Sequence, residues 1–177
     1  LAMDNSQFWS RCYWHNERRN RLIRQLAEGL LSGNVPPSRR FGEVVEWLSN
    51  AGKSRHSVTV LVQHIPHALA LAEKLADWDI VTGEIPLNGC PGSFRNRVER
   101  QRQRWVVGER QIVLADAAKY FRGETSDIVI WAGGGQYASP IPEAWLHATD
   151  HATKQLLIVY FAAYHTPTEG GWSWWRI

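Results

Sequence analysis

The residues best suited to chemistry lie in one short cationic run. Arg95, Arg97, Arg100, Arg102 and Arg104 are interleaved with Asn96, Gln101 and Gln103. On a helix, Arg97, Arg100 and Arg104 share one face, and Arg95 and Arg102 share another. That makes a broad cationic surface rather than a single recognition pocket. It suits contact with a phosphate backbone without sequence readout, because guanidinium presents a planar fork that matches phosphate or carboxylate. The plainer alternative is a solvated helix face, or one paired with acids elsewhere.

Other residues invite a chemical reading with less support. Gly133-Gly134-Gly135 follows an apolar run, where backbone amides could cradle a phosphate. No Lys or Ser/Thr completes a phosphate-loop signature there, and a plain turn accounts for the same residues. Gly52-Lys53-Ser54 lacks the glycine required five residues before its Gly-Lys pair, since position 47 is Trp, so it reads as a helix stop. His64 with His67, and His147 with His151, could suggest a metal, but the second pair lacks the Glu of zinc proteases and Pro66 interrupts the first. Surface or capping histidines are the simpler reading, and no metal is expected. Asp79, Glu84, Asp116, Lys119 and Asp127 could build a metal-dependent nuclease, although their spacing does not single them out. No Gly-x-Ser-x-Gly elbow supports a serine hydrolase. Trp172, Trp174 and Trp175 either pack back on the domain, cover a neighbour or stack bases.

These residues need elements to position them. Residues 6–31 read as one helix, with Phe8, Cys12, Leu22, Leu26 and Leu30 along one face and Ile23 and Leu31 beside them. Asp4, Asn5 or Ser6 would cap its start and Gly33-Asn34 its end. A short helix over 41–48 follows the Pro36-Pro37 break. Strands are expected at 58–62, 79–82, 111–115, 127–131 and 155–161, with helices at 66–76, 94–105 and 141–148. Residues 166–177 read as an irregular tail. Apolar strands alternating with helices predict an α/β fold with a mainly parallel sheet covered on both faces. Ligands in such folds bind beyond the carboxyl ends of the strands, which here lead to His64, Gly83-Glu84, Asp116 and Gly133–Gly135.

Composition sets the outer bounds. The chain has 177 residues, 44% hydrophobic and 21% charged, with ten tryptophans. A chain of this size buries roughly 70% of its unfolded surface, so one unstapled domain is expected and disorder is not. The longest apolar stretch, Leu156 to Tyr164, has nine residues, well short of the about 20 that a spanning helix needs. Cys12 and Cys90 form neither a disulfide framework nor a metal motif. With no secretory signal at the N-terminus, they fit a reducing, cytoplasmic setting. The net charge of +3 is unevenly spread. Residues 1–40 carry seven Arg against three acids, and residues 91–110 carry six against two; the remainder is net −5. Two basic segments on a mildly acidic body are compatible with a nucleic-acid surface.

The order of these pieces, from about Ser57 to Tyr164, resembles the second RecA-like domain of helicases and related nucleic-acid translocases. Val58–Val62 followed by Pro66–Leu75 is similar to that domain's opening strand and its Ala-x-x-Leu helix. Asp79 to Gly83 looks like the next strand, ending in Thr-Gly, and Phe94-Arg95 opens a helix as in family members. Ile112–Ala118 with Phe121-Arg122-Gly123 resembles helicase motif V, a strand joined to an Arg-Gly pair that touches both ATP and nucleic acid. The chain departs from the pattern in three ways. Ala115 stands near the usual motif V threonine, and two extra residues separate Asp116 from Arg122-Gly123. No motif VI with its arginine finger follows Gly135, and the first RecA-like lobe is absent.

The resemblance implies a P-loop-NTPase-like, three-layer α/β/α lobe at 51–177 without a Walker A loop, behind a helical extension at 1–50. It implies nucleic-acid contact through Arg95, Arg97, Arg100, Arg102, Arg104 and Arg122. Motif V function would fall to Asp116, Arg122 and Gly123, and phosphate contact, if any, to Gly133, Gly134 and Gly135. Such a chain is not a complete ATPase and has no cofactor of its own; ATP would be held only with a partner lobe. The Leu1 start and the Trp175-Arg176-Ile177 end favour a fragment or a mobile-element product. Two other readings stand beside this one. The chain is a self-associating interaction domain on a relic fold, or it is a small nucleotide-binding or metal-dependent hydrolase using Asp116 and Glu84.

Overall fold

The computed structural model describes residues 14–35, 45–46, 49–50, 56–83, 86–100, 109–114, 117 and 126–132 in full, and residues 101–104, 152–161 and 172–176 as backbone. Six strands form one sheet: β1 (Val58–Val62), β2 (Asp79–Val81), β3 (Arg110–Leu114), β4 (Ser126–Trp131), β5 (Ala152–Phe161) and β6 (Trp172–Arg176). Their spatial order is β2-β3-β1-β4-β5-β6. Every pairing from β2 to β5 is parallel, and β6 returns antiparallel to β5, with Tyr160 opposite Ser173. The expected α/β fold with a mainly parallel sheet is therefore present. Within the tail expected to be irregular, residues 172–176 instead form the outermost strand of the described sheet, and 166–171 lie outside the described residues.

Among the described residues, three helices of known extent accompany the sheet: α1 (Glu17–Leu31), α2 (Ile65–Lys74) and α3 (Gly92–Arg104). Helix α1 starts later than its sequence periodicity predicts. Asn16 takes extended dihedrals, and its side chain accepts from the Arg19 N–H at 3.0 Å, which satisfies one of the free amides of the first turn. The expected helix over 6–31 is thus broken at Asn16, and the proposed caps at Asp4, Asn5 and Ser6 lie outside the described residues. The C-terminal end agrees with expectation. Gly33, at φ 67°, donates to Leu30 and Asn34 donates to Gly29, the paired bonds of a Schellman stop. A side chain with a Cβ would resist that dihedral.

All five residues of β1 are buried. Because successive side chains point to opposite faces, β1 is covered on both sides. Ile23, Leu26, Ala27 and Leu30 of α1 join Val58, Val60, Leu71, Ile80, Ile112, Ile128 and Ile130 in one core. Segment 1–50, expected as an extension, so contributes α1 to the same core as the sheet. Fully burying one such aliphatic side chain is worth roughly 1.5–3 kcal/mol, enough to make this contact integral to the fold. The expected helices at 141–148 and most of 41–48 lie outside the described residues.

Candidate nucleic-acid interface and the carboxyl edge of the sheet

Helix α3 carries the cationic run. Its inward anchors are Phe94 and Val98, an i,i+4 pair that is buried in the core. Arg95, Asn96, Glu99 and Arg100 are exposed around them. Arg97 lies three residues after Phe94 and one before Val98, so it turns inward. Its Nε donates to the Trp78 carbonyl at 3.0 Å, Nη1 to Ala72 at 2.8 Å and Nη2 to Leu75 at 2.6 Å, with a further contact from Nη2 to Trp78. These carbonyls close the end of α2 and the turn into β2, where a helix leaves acceptors unsatisfied and carries partial negative charge. Burial, then Arg100, push the Arg97 guanidinium below the usual arginine range, while Asp79 and Asp77 oppose the shift. The helical grouping of Arg97 with Arg100 and Arg104 therefore does not describe where Arg97 points. Arg95 and Arg100 do reach solvent. Arg102 and Arg104 lie on the last turn of α3, but their side chains, like Arg122, lie outside the described residues.

The five parallel strands put their carboxyl ends on one edge. In this strand order β1 and β4 are neighbours, while the chain leaves β1 toward β2 and leaves β4 toward β5. That makes β1/β4 the topological switch point, where open α/β sheets form a crevice. A polar cluster sits there, one that local sequence patterns do not announce. Arg19 of α1 donates from Nη2 to the Ala132 carbonyl just past β4, and its Nη1 lies 3.2 Å from His67 Nε2 on the first turn of α2. Asn20 Nδ2 donates to the Trp14 carbonyl at 2.7 Å, which leaves Asn20 Oδ1 facing His67 Nε2 at 3.1 Å. His67 Nε2 therefore stands between a guanidinium donor and an amide acceptor, and its tautomer decides which of the two it bonds: unprotonated it accepts from Arg19, protonated it donates to Asn20. Burial, then the Arg19 cation, then His64 and His15, hold His67 well below the ordinary histidine pKa. His67 is only 2% exposed. It is a core histidine, neither a surface nor a capping residue and not a proton shuttle open to solvent. His64 occupies the N-cap position of α2 without a side-chain cap bond and meets the Trp14 ring edge-on. Gly133, Gly134 and Gly135 begin one residue past Ala132, outside the described residues, as do Asp116 and Gly123.

The opposite edge of the sheet holds two of the carboxylates weighed for a nuclease. Asp127 Oδ2 accepts from the Ser57 amide at 3.0 Å and the Ser57 hydroxyl at 3.2 Å, and the Asp127 amide donates to Ser57 Oγ at 2.9 Å. This reciprocal pair ties the start of β4 to the chain entering β1. Asp79 starts β2, three strand spacings away, or about 14 Å at the usual interstrand distance. The two cannot share a metal ion. Glu84, Asp116 and Lys119 lie outside the described residues. Among those described, no group of three metal-ligating side chains converges, and no helix is long and apolar enough to cross a membrane.

Two signals for these sites were present in the sequence. Arg97 shares its helix face with Phe94 and Val98, and Asn20 is the polar member of a buried stripe that continues through Ile23, Ala27 and Leu30. The Arg19–His67–Ala132 contacts join residues far apart in sequence and left no local pattern. No family model matches the chain, and no curated protein matches it.

Proposed function

We propose that this chain is a RecA-like, three-layer lobe of the helicase C-terminal type. It contacts nucleic-acid backbone, a partner ATPase lobe or both, and is not a complete ATPase by itself. One observation carries the reading: Arg95 and Arg100 project to solvent from a helix anchored in the core by Phe94 and Val98, with neither arginine in an ion pair among the described residues. A fixed cationic ridge releases condensed counterions when it meets phosphates, and this favours nucleic acid of any sequence. Arg102, Arg104 and the motif V-like Asp116, Arg122 and Gly123 would extend the surface. Gly133, Gly134 and Gly135 would lie at the carboxyl edge facing a second lobe. ATP would enter only when that lobe supplies the phosphate loop and metal ligands. Fluorescence anisotropy of labelled single- and double-stranded oligonucleotides, titrated at low and moderate salt with and without ATP, tests the reading. Micromolar binding that weakens steeply with salt is expected; no binding at low salt overturns it.

A second reading, self-association, draws on β6. That strand bears Trp172, Trp174 and Trp175 and is outermost in the described sheet, where main-chain groups are a template for another strand. Sedimentation tests it: a concentration-dependent dimer supports the reading, and a monomer at all concentrations removes it.

A further inference from the structure

We propose that Arg97 is a positioning residue for the cationic helix and not one of its phosphate contacts. The inference rests on the nucleic-acid reading above and refines which arginines carry it.

Three facts support this assignment. The Arg97 guanidinium uses Nε and both terminal nitrogens on the carbonyls of Ala72, Leu75 and Trp78. A guanidinium has five N–H donors in a rigid fork, and four bonds to three carbonyls leave no bidentate face for phosphate. The acceptors lie at the end of α2 and the entry to β2, so Arg97 ties α3 to the two elements that precede it in the chain. Asp77 and Asp79 also lie close enough to act on Arg97 and offset part of the cost of burying its charge. Arg95 and Arg100, two residues before and three residues after it, are exposed.

Arg97 therefore sets the azimuth of α3. The carbonyl clasp on one side and Phe94 with Val98 beside it leave the helix a single rotation about its axis. That rotation holds Arg95 and Arg100 outward. Lysine cannot replace it, because a compact ammonium offers no planar fork to span the three carbonyls at once.

The test compares the salt dependence of oligonucleotide affinity in the full chain and its variants. Each phosphate contact to duplex contributes about 0.9 to the slope of log K against log salt. Arg95→Gln and Arg100→Gln should each lower that slope by close to this amount. Arg97→Gln and Arg97→Lys should both weaken binding, on the order of threefold to tenfold, with the wild-type slope retained. They should also speed amide hydrogen exchange in α3. Lysine should fail to rescue, whereas at a true phosphate contact it would largely restore binding as a point charge. Should Arg97→Gln not fold, Arg97→Lys gives the same slope comparison. Loss of about one slope unit on changing Arg97, rescue by lysine, or unchanged affinity in both variants would each overturn the proposal. Absence of any binding by the wild-type chain would instead remove the nucleic-acid reading on which it rests.

Discussion

Helices α1 and α3 are both arginine-rich, and they use their arginines differently. Helix α1 carries four arginines and two glutamates, and α3 carries five arginines and one glutamate. Glutamates of α1 lie one turn from its outer arginines: Arg24 Nε is 3.1 Å from Glu28, and Arg21 lies 4.0 Å from Glu17. Lys74 of α2 adds a 2.7 Å contact to Glu17 and lowers the Glu17 pKa through that hydrogen bond. The outer face of α1 is thus locally compensated, and its inner face is a long apolar stripe. In α3 a single glutamate, Glu99, stands one turn from Arg95 against five arginines, so the run keeps a larger net positive charge. Each helix also turns one arginine inward onto backbone carbonyls: Arg19 onto Ala132, and Arg97 onto Ala72, Leu75 and Trp78. Arginine content alone does not define a binding surface. What matters is how many carboxylates offset the run and whether the guanidinium finds carbonyls within the fold.

The two helices should differ most in their contribution to stability. Leu26→Ala in the buried stripe of α1 should destabilise the chain by about 2–5 kcal/mol in urea unfolding, whereas Arg95→Ala on α3 should stay within about 0.5 kcal/mol. A small loss for Leu26→Ala would mean that α1 is not part of the core. A smaller effect tests the start of α1. Asn16→Ala removes the cap on the Arg19 amide and should cost about 0.5–2 kcal/mol in the same assay, with Asn16→Asp near neutral.

A third prediction concerns pH and separates the clasp of α1 from that of α3. The folded pKa of His67 is depressed, so the unfolded chain binds its proton first as pH falls. Stability from this site is complete above the unfolded histidine value of about 6.5 and is lost as pH drops below it, with a slope of at most about 1.4 kcal/mol per pH unit. Unfolding midpoints measured between pH 7.5 and about 5 should fall for the wild type and fall less steeply for His67→Asn. Equal slopes would show that His67 takes up its proton without disturbing Arg19 and Asn20. Arg97 stays charged throughout this range, so no matching slope is expected from α3.

Much of the fold was legible in the sequence because β-branched apolar runs mark buried parallel strands wherever they occur. The run expected at 58–62 coincides with β1, and the one expected at 127–131 falls one residue short of the start of β4. The stop of α1 at Gly33-Asn34 was equally local. The break at Asn16 was hidden by an apolar periodicity that runs through it. Strand β6 was hidden because Trp174-Trp175 disrupts alternation, and its pairing with β5 depends on a partner elsewhere in the chain. The candidate surface was half legible: the arginine run is plain, while the inward turn of Arg97 depends on noticing Phe94 and Val98 on its own face. The Arg19–His67–Asn20 cluster needed the fold itself.

One anisotropy titration compares the two helices as nucleic-acid surfaces. Wild type, Arg95→Glu with Arg100→Glu on α3, and Arg21→Glu with Arg24→Glu on α1 are titrated against the same labelled oligonucleotide at low salt. The α3 pair should weaken binding on the order of tenfold or more and flatten the salt dependence, while the α1 pair has a clearly smaller effect. Equal losses from both pairs, or no loss from the α3 pair, would contradict this expectation.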